Sequence, residues 1–316
     1  MRIAVVGAGA IGGWVAARLA LGDLDVSVIA RGETLEAIDG EGLRITENGE
    51  TRCVAVTTSA DASSLGVHDL VILAVKAPAL LGIAPTLDSL IGPETAIVPM
   101  LNGVPWWFLP DALKSVDPDG DIAGSLPFEK VVGCVVHASC RRIAPNHVQV
   151  VHAERLILGE PLGGRSDRVQ RLCNLFRTEG INCDESDTIR RSIWYKLWGN
   201  ATINPLSALT RSTADKLLED ETIRAFMADA MDELAAIGAA IDCPISDTAD
   251  DRMAVTERLG AFKSSMLQDV EAGRPIELEA LLGAPREIAR RIDVPTPQLD
   301  RLYAMTRLMG ENLSLF

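Results

Sequence analysis

An α/β fold in two parts is predicted, with an N-terminal strand-and-helix domain over residues 1–185 and an all-helical C-terminal domain over residues 186–316. Three observations predict it. The apolar run Ile3-Ala4-Val5-Val6 leads into Gly7-Ala8-Gly9-Ala10-Ile11-Gly12, and a helical pattern follows over Trp14–Leu21. Further short apolar runs spaced as strands continue to about Leu158. From about Asp187 onward strand signals stop and helical periodicity takes over.

Strand, glycine turn and helix in that order form the dinucleotide-binding fingerprint of Rossmann-type domains. Gly7 permits the tight turn, Gly9 lets a pyrophosphate approach the backbone, and Gly12 lets helix and strand pack closely. The unpaired N–H groups of the first helical turn, with its positive dipole end, face the phosphates. Ala10 and Ile11 therefore join the glycines as candidate cofactor-binding residues. The alternative is a glycine-rich turn inside some other α/β fold.

The remaining elements follow in order. Asp25–Ala30 reads as a second strand. Asp69–Val75 is a third, nearly continuous apolar run, as a parallel sheet buried on both faces requires. Ala96–Met100 is another. Val131–Ser139 and His147–Leu158 alternate more strongly and flank a turn at Ala144-Pro145-Asn146, so they are expected to pair antiparallel and close the sheet. Helices are expected over Ile189–Ser207, Thr213–Ile241, Ser246–Ala272, Glu277–Arg291 and Pro297–Asn312. The boundary is placed near Glu185, with a cleft expected between the domains. Glu219-Asp220-Glu221 reads as a solvated helix face or end.

The bulk composition bounds the function. The chain has 316 residues, 47% of them hydrophobic, which suits a well-buried globular protein. Its mean hydropathy is +0.17 and its isoelectric point is near 4.8. A net charge of −14 argues against nucleic-acid and anionic-membrane partners, because the long-range field repels both. An anionic cofactor must then be held by local positive groups. No apolar stretch reaches the length of a membrane span, and the chain opens directly on its first strand, so no signal peptide is expected. The six cysteines are dispersed without a CxxC pair and read as buried free thiols of a cytoplasmic protein. The four histidines show no metal-ligand spacing, and no metal site is expected.

The end of the second strand selects the cofactor. An NAD enzyme usually carries a carboxylate there for the ribose 2′-hydroxyl. This chain has Ala30-Arg31-Gly32. Arg31 suits a 2′-phosphate, which points to NADP.

Lys196, Asn200 and Asn204 recur at i, i+4 and i+8 on one predicted helix, so they share a broad face. A lysine and two neutral amides suit a small anionic, carbonyl-bearing substrate. Trp194, Leu197, Trp198 and Ile203 require much of the same helix to be buried, the two tryptophans as core.

With these pieces in place the chain resembles the ketopantoate reductase (2-dehydropantoate 2-reductase) family. The resemblance rests on GAGAIGG at Gly7–Gly13, Ala30-Arg31-Gly32, VKA at Val75–Ala77, LNGV at Leu101–Val104, KLWGNATINPLSALT at Lys196–Thr210, and SSMLQD at Ser264–Asp269 followed by Glu277. These run in family order over nearly the whole chain. The resemblance implies NADPH-dependent reduction of 2-dehydropantoate, a small 2-keto acid, to (R)-pantoate, with Lys196 as general acid. It implies that Glu277 orients Lys196 or the nascent hydroxyl. Asn200 and Asn204 hold the substrate's polar groups, and Ser265, or its neighbour Ser264, holds the carboxylate. Asn102 bridges the nicotinamide side and the substrate, and Lys76 faces the cofactor or the bound acid. Asp269 caps or braces its helix. A homodimer through the helical part remains open.

The sequence departs from the family pattern at Ala77-Pro78-Ala79 and at Leu282, where relatives often carry an asparagine. Trp106-Trp107-Phe108 either walls the substrate pocket or belongs to the core or a subunit contact. The change at Leu282 and the aromatic cluster leave as an alternative a reductase of another branched or aromatic 2-keto acid; a non-catalytic NADP-binding sensor is a further alternative, against which the intact Lys196, Asn200 and Glu277 speak.

Overall fold

A computed structural model describes all 316 residues. The chain divides into two units: Met1–Leu101 with Gly120–Ile189, and Asn102–Asp119 with Arg190–Phe316. The second unit thus takes in a segment that a single cut at residue 185 leaves in the first.

In the first unit β1 (Arg2–Val6), α1 (Ala10–Leu21), β2 (Asp25–Ile29) and α2 (Gly32–Glu41) follow one another as the glycine pattern requires. A hairpin of β3 (Leu43–Glu47) and β4 (Glu50–Val54) comes next, then β5 (Thr57–Ser59), β6 (His68–Leu73), α3 (Ala77–Ile83), β7 (Ile91–Pro99) and the short α4 (Asp121–Ser125). The unit ends with β8 (Gly133–Ala144), β9 (His147–Gly159), α5 (Asp167–Thr178) and β10 (Cys183–Ser186). Five strands form a parallel sheet in the order β5-β2-β1-β6-β7. Its central strands are apolar on both faces because helices and loops cover both.

The pair β8–β9 is antiparallel, as the turn chemistry predicts, but it does not close this sheet. It belongs to a second sheet, in which β8 pairs along the length of β9, β3 and β10 pair with its two ends, and β4 continues from β3. One isolated bridge, Ile97 to Val131, is the only ladder contact of that region with the parallel sheet. The reason lies in α1. Trp14, Val15, Ala16, Ala17, Leu19 and Ala20 are all buried, so the helix is apolar almost all round. One sheet covers only one face of such a helix. The strands β1 and β2 pack on it from the first sheet, and β3, β8 and β9 from the second.

The second unit is helical: α6 (Ile189–Thr210), α7 (Ala214–Glu219), α8 (Glu221–Ala240), α9 (Ala249–Glu257), α10 (Ser265–Glu271), α11 (Ala284–Arg291) and α12 (Pro297–Asn312). Two of the expected long helices are broken. Asp220 turns extended and caps α8, accepting from Thr222 N and Ile223 N at 3.0 Å each. The acidic run is therefore a helix end. The stretch expected over Ser246–Ala272 splits at a turn where Gly260 has φ +68°, and it restarts where Ser264 caps α10. Inside the unit, α6 is pinned to α8 by its tryptophans: Trp194 Nε1 donates to Leu234 O at 3.0 Å and Trp198 Nε1 to Met231 O at 2.7 Å.

The segment Asn102–Asp119 joins this unit through its aromatics and through an acid. Trp106, Trp107 and Phe108 are all buried, and Phe108 stacks on Trp194 with centroids 5.8 Å apart. Glu287 on α11 accepts from Lys114 N, Ser115 N and Ser115 Oγ. The aromatic run is thus buried, with Phe108 packed on the core of this unit.

Candidate functional sites in the two units

The glycine turn of the first unit is built to receive an anion. Gly7 has φ +97°, and a Cβ there meets Val75 Cγ1 at 2.8 Å. A Cβ on Gly12 falls 1.9 Å from the Gly7 carbonyl oxygen, so only glycine lets α1 start this close to β1. Around Gly9 a Cβ meets nothing within 4 Å, which leaves room for a ligand to reach the backbone. Gly9 is the N-cap of α1 and offers no side chain, so the N–H groups of Ala10, Ile11 and Gly12 face outward uncapped.

A cavity of about 410 Å³ opens at this turn. Gly7, Ala8, Gly9, Ala30, Arg31 and Thr34 line it on one side, Val75 and residues of α3 on another. Arg31 is exposed, at the N-cap of α2. Arg142 of β8 also lines the cavity, and its Nη1 donates to Thr34 Oγ1 at 3.0 Å. Sequence reasoning missed Arg142, because an arginine on a half-exposed strand carries no local signal. Lys76 is half-buried at the N-cap of α3, next to Val75 but outside the cavity lining. The cavity has no acidic lining residue and two arginines, in a chain of net charge −14. That donor set fits a phosphorylated nucleotide.

The second unit carries a separate polar cluster. Lys196 Nζ donates to Asn102 Oδ1 at 2.9 Å, and Asn102 Nδ2 donates to Glu277 Oε2 at 3.4 Å. The carboxamide of Asn102 therefore links the lysine to the acid. Its position is set by the next residue. Gly103, at φ +81°, comes so close to the turn Glu279–Gly283 that a Cβ would lie 2.4 Å from the Ala280 oxygen. Val104 N donates to that same oxygen at 2.8 Å. The turn is π-helical, and a π turn shifts its carbonyls out of the ordinary helical pairing. Leu282, in this turn, is wholly buried.

One and two turns beyond Lys196, Asn200 is half-buried and Asn204 is buried. Asn204 Nδ2 donates to Ser265 Oγ at 3.4 Å. Ser264 and Ser265 differ in employment. Ser264 is buried and caps α10, accepting from Leu267 N at 3.1 Å, whereas Ser265 is exposed. Asp269 is buried and pairs with Arg274 at 3.1 Å, bracing the end of α10. Asn102, placed by sequence beside both cofactor and substrate, falls in the second unit with Lys196 and Glu277. A second basic residue packs on the same helix α6. The Arg252 guanidinium packs against Gly199, where a Cβ would lie 2.5 Å from Nη2, and burial lowers its pKa.

No group of three or more His, Cys, Asp or Glu side chains is arranged to hold a metal. All six cysteines are free. Four are buried, Cys53 is exposed against expectation, and the fold brings Cys173 and Cys183 together with Sγ atoms 3.1 Å apart.

Residues 3–163 match the family model described as ketopantoate reductase PanE/ApbA, and residues 188–310 match its C-terminal counterpart. The chain belongs to the ketopantoate reductase family. A 2-dehydropantoate 2-reductase of Mesorhizobium japonicum is 41% identical over 98% of each chain. Among solved structures, a candidate ketopantoate reductase from Ralstonia solanacearum MolK2 is 46% identical with a TM-score of 0.97, covering 100% of this chain and 99% of that one. The 2-dehydropantoate 2-reductase of Methylococcus capsulatus is 29% identical with a TM-score of 0.86, covering 99% and 98%. The family match covers both units, so both candidate sites lie within it. No helix is long and apolar enough to cross a membrane.

Proposed function

We propose that this chain is an oxidoreductase that reduces 2-dehydropantoate to (R)-pantoate with NADPH, with Lys196 as the proton donor. The observation that carries the reading is the Lys196–Asn102–Glu277 chain of hydrogen bonds, in a protein of the ketopantoate reductase family. When bound, a reduced nicotinamide supplies a hydride. Everything else falls to the chain's own residues.

The first unit holds the dinucleotide. Gly7, Gly9 and the N–H groups of Ala10, Ile11 and Gly12 take the pyrophosphate, Arg31 takes the 2′-phosphate, and Lys76 adds positive charge at the start of α3. In the second unit the reaction needs an acid, because a ketone oxygen gains negative charge as its carbon is reduced. The Lys196 ammonium donates a hydrogen bond to that oxygen and then its proton. The bond to Asn102 keeps the ammonium aimed, and Glu277 holds the Asn102 amide from the other side, so Glu277 acts as a positioning residue. Asn200, Asn204 and the exposed hydroxyl of Ser265 orient the substrate, with Ser265 on the carboxylate.

The curated 2-dehydropantoate 2-reductase that is 41% identical over nearly the whole chain supports 2-dehydropantoate as the substrate. The test follows NADPH absorbance with 2-dehydropantoate beside pyruvate, 2-ketoisovalerate and phenylpyruvate. Selective oxidation with 2-dehydropantoate is expected. Faster turnover of another keto acid would reassign the substrate, and no turnover of any would favour a sensor.

A further inference from the structure

We infer that Arg142 is the second cation, beside Arg31, of the subsite for the cofactor's 2′-phosphate. The inference rests on the NADP reading above and adds a specificity residue that lies 111 positions beyond Arg31 in the chain. Three observations carry it.

Arg142 and Arg31 line the same cavity together with Thr34, and no acidic residue lines it. A guanidinium has five N–H donors in a planar fork, and the single bond to Thr34 Oγ1 leaves the others available to phosphate oxygens.

Arg142 is exposed, and its place beside Thr34 is set by the hairpin that carries it. Side-chain hydrogen bonds tie the β8–β9 hairpin to α2 and the residue after it at two points. Toward the N-terminal end the fastening is Arg142 on Thr34 at 3.0 Å. Toward the C-terminal end it is the buried Asn146, whose Nδ2 donates to Gly42 O at 2.9 Å and to Ala37 O at 3.4 Å. The backbone completes it, Arg44 N donating to Asn146 O at 2.8 Å. A cation fixed before the ligand arrives loses less freedom on binding it.

Finally, the second cation comes from outside the βαβ unit. A parallel sheet with α1 and α2 supplies Arg31 alone. The hairpin brings in a charge that the βαβ unit lacks.

The test is calorimetric titration of the full chain with 2′,5′-ADP and with 5′-AMP, which differ only in the 2′-phosphate. Wild type, Arg31→Ala, Arg142→Ala and Arg142→Gln are compared. The wild type is expected to bind 2′,5′-ADP at least about tenfold tighter than 5′-AMP, and Arg142→Ala to lose about tenfold on 2′,5′-ADP while 5′-AMP stays within about twofold. Arg142→Gln retains a donor for Thr34 without the charge and is expected to lose as much. It also carries the test if the alanine variant does not fold. Full 2′,5′-ADP affinity in Arg142→Gln, or equal losses on both nucleotides, would overturn the inference and leave Arg142 as a strut for α2. A wild type with no preference for 2′,5′-ADP would overturn the NADP reading and this inference together. A preference that disappears in Arg31→Ala but survives both Arg142 variants would overturn this inference alone.

Discussion

In the first unit the turn proposed to bind the cofactor occupies residues 7–12, and it offers backbone geometry and uncapped N–H groups. In the second unit the lysine is held by side chains far apart in the chain: Asn102 is 94 residues from Lys196 and 175 from Glu277. The contrast teaches how each site fails. A backbone site fails when a Cβ is added, since the fault is steric and local. A side-chain site fails when one member of the relay is removed, while the fold around it persists. The same contrast separates binding from chemistry, since the turn is assigned to the cofactor and the relay to the proton.

The largest expected effect separates these roles. Lys196→Ala should lower kcat by about 10²–10⁴-fold, the range for loss of a general acid. NADPH affinity should stay near that of the wild type, because no residue lining the first-unit cavity changes. Steady-state kinetics beside fluorescence titration of NADPH checks this, and a parallel loss of NADPH affinity would merge the two sites into one.

Phe108→Ala comes next. It removes a side chain 1% exposed that stacks on Trp194 and lies under the Arg190 guanidinium at 5.1 Å. The expected cost is about 3–5 kcal/mol, measured by denaturant unfolding. A variant as stable as wild type with altered keto-acid preference would return this aromatic run to the pocket wall.

Gly12→Ala tests the backbone site. The added Cβ must push α1 from the Gly7 carbonyl, so a destabilisation of about 1–3 kcal/mol and loss of nucleotide binding should appear together. Undiminished nucleotide affinity would place the ligand away from this turn.

The smallest effect concerns acid stability. At Glu160 burial raises the pKa, but hydrogen bonds from Arg168 and Ser166 and the charge of Arg168 outweigh it, so the folded-state value is depressed. A depressed carboxylate stabilises the fold above its unfolded pKa, and that stabilisation is lost as pH falls through the folded value. Glu160→Gln should therefore be less stable than wild type near neutrality, and the gap should shrink below about pH 4.5. Thermal melts across pH read it directly. A gap that widens in acid would reverse the sign.

Legibility in the sequence followed the same division. The strand, turn and helix over residues 2–21 could be read because their determinants are contiguous, and Arg31 because its place is fixed by the end of β2. Lys196, Asn200 and Asn204 could be grouped because helical spacing is regular. Their link through Asn102 to Glu277 came from family resemblance and from no local pattern, since it depends on Gly103 docking on the Ala280 carbonyl. The helix break at Asp220 was masked by apolar periodicity on both sides. The second sheet was misplaced because alternation along β8 and β9 tells which face is buried but not what covers it. The all-round apolarity of α1 was the available clue. Arg142 had no clue of its own, since its place beside Thr34 depends on a hairpin more than a hundred residues further along the chain.

The most direct test of the central account is a single turnover. Enzyme preloaded with NADPH is mixed with 2-dehydropantoate, and nicotinamide absorbance is followed for wild type and Lys196→Ala. The account predicts one equivalent of NADPH oxidised in a fast first turnover by the wild type, with pantoate formed, and a variant that binds NADPH as tightly but oxidises it at least about a hundredfold more slowly. Oxidation by the variant at the wild-type rate would contradict it, since Lys196 would then have no part in the proton transfer.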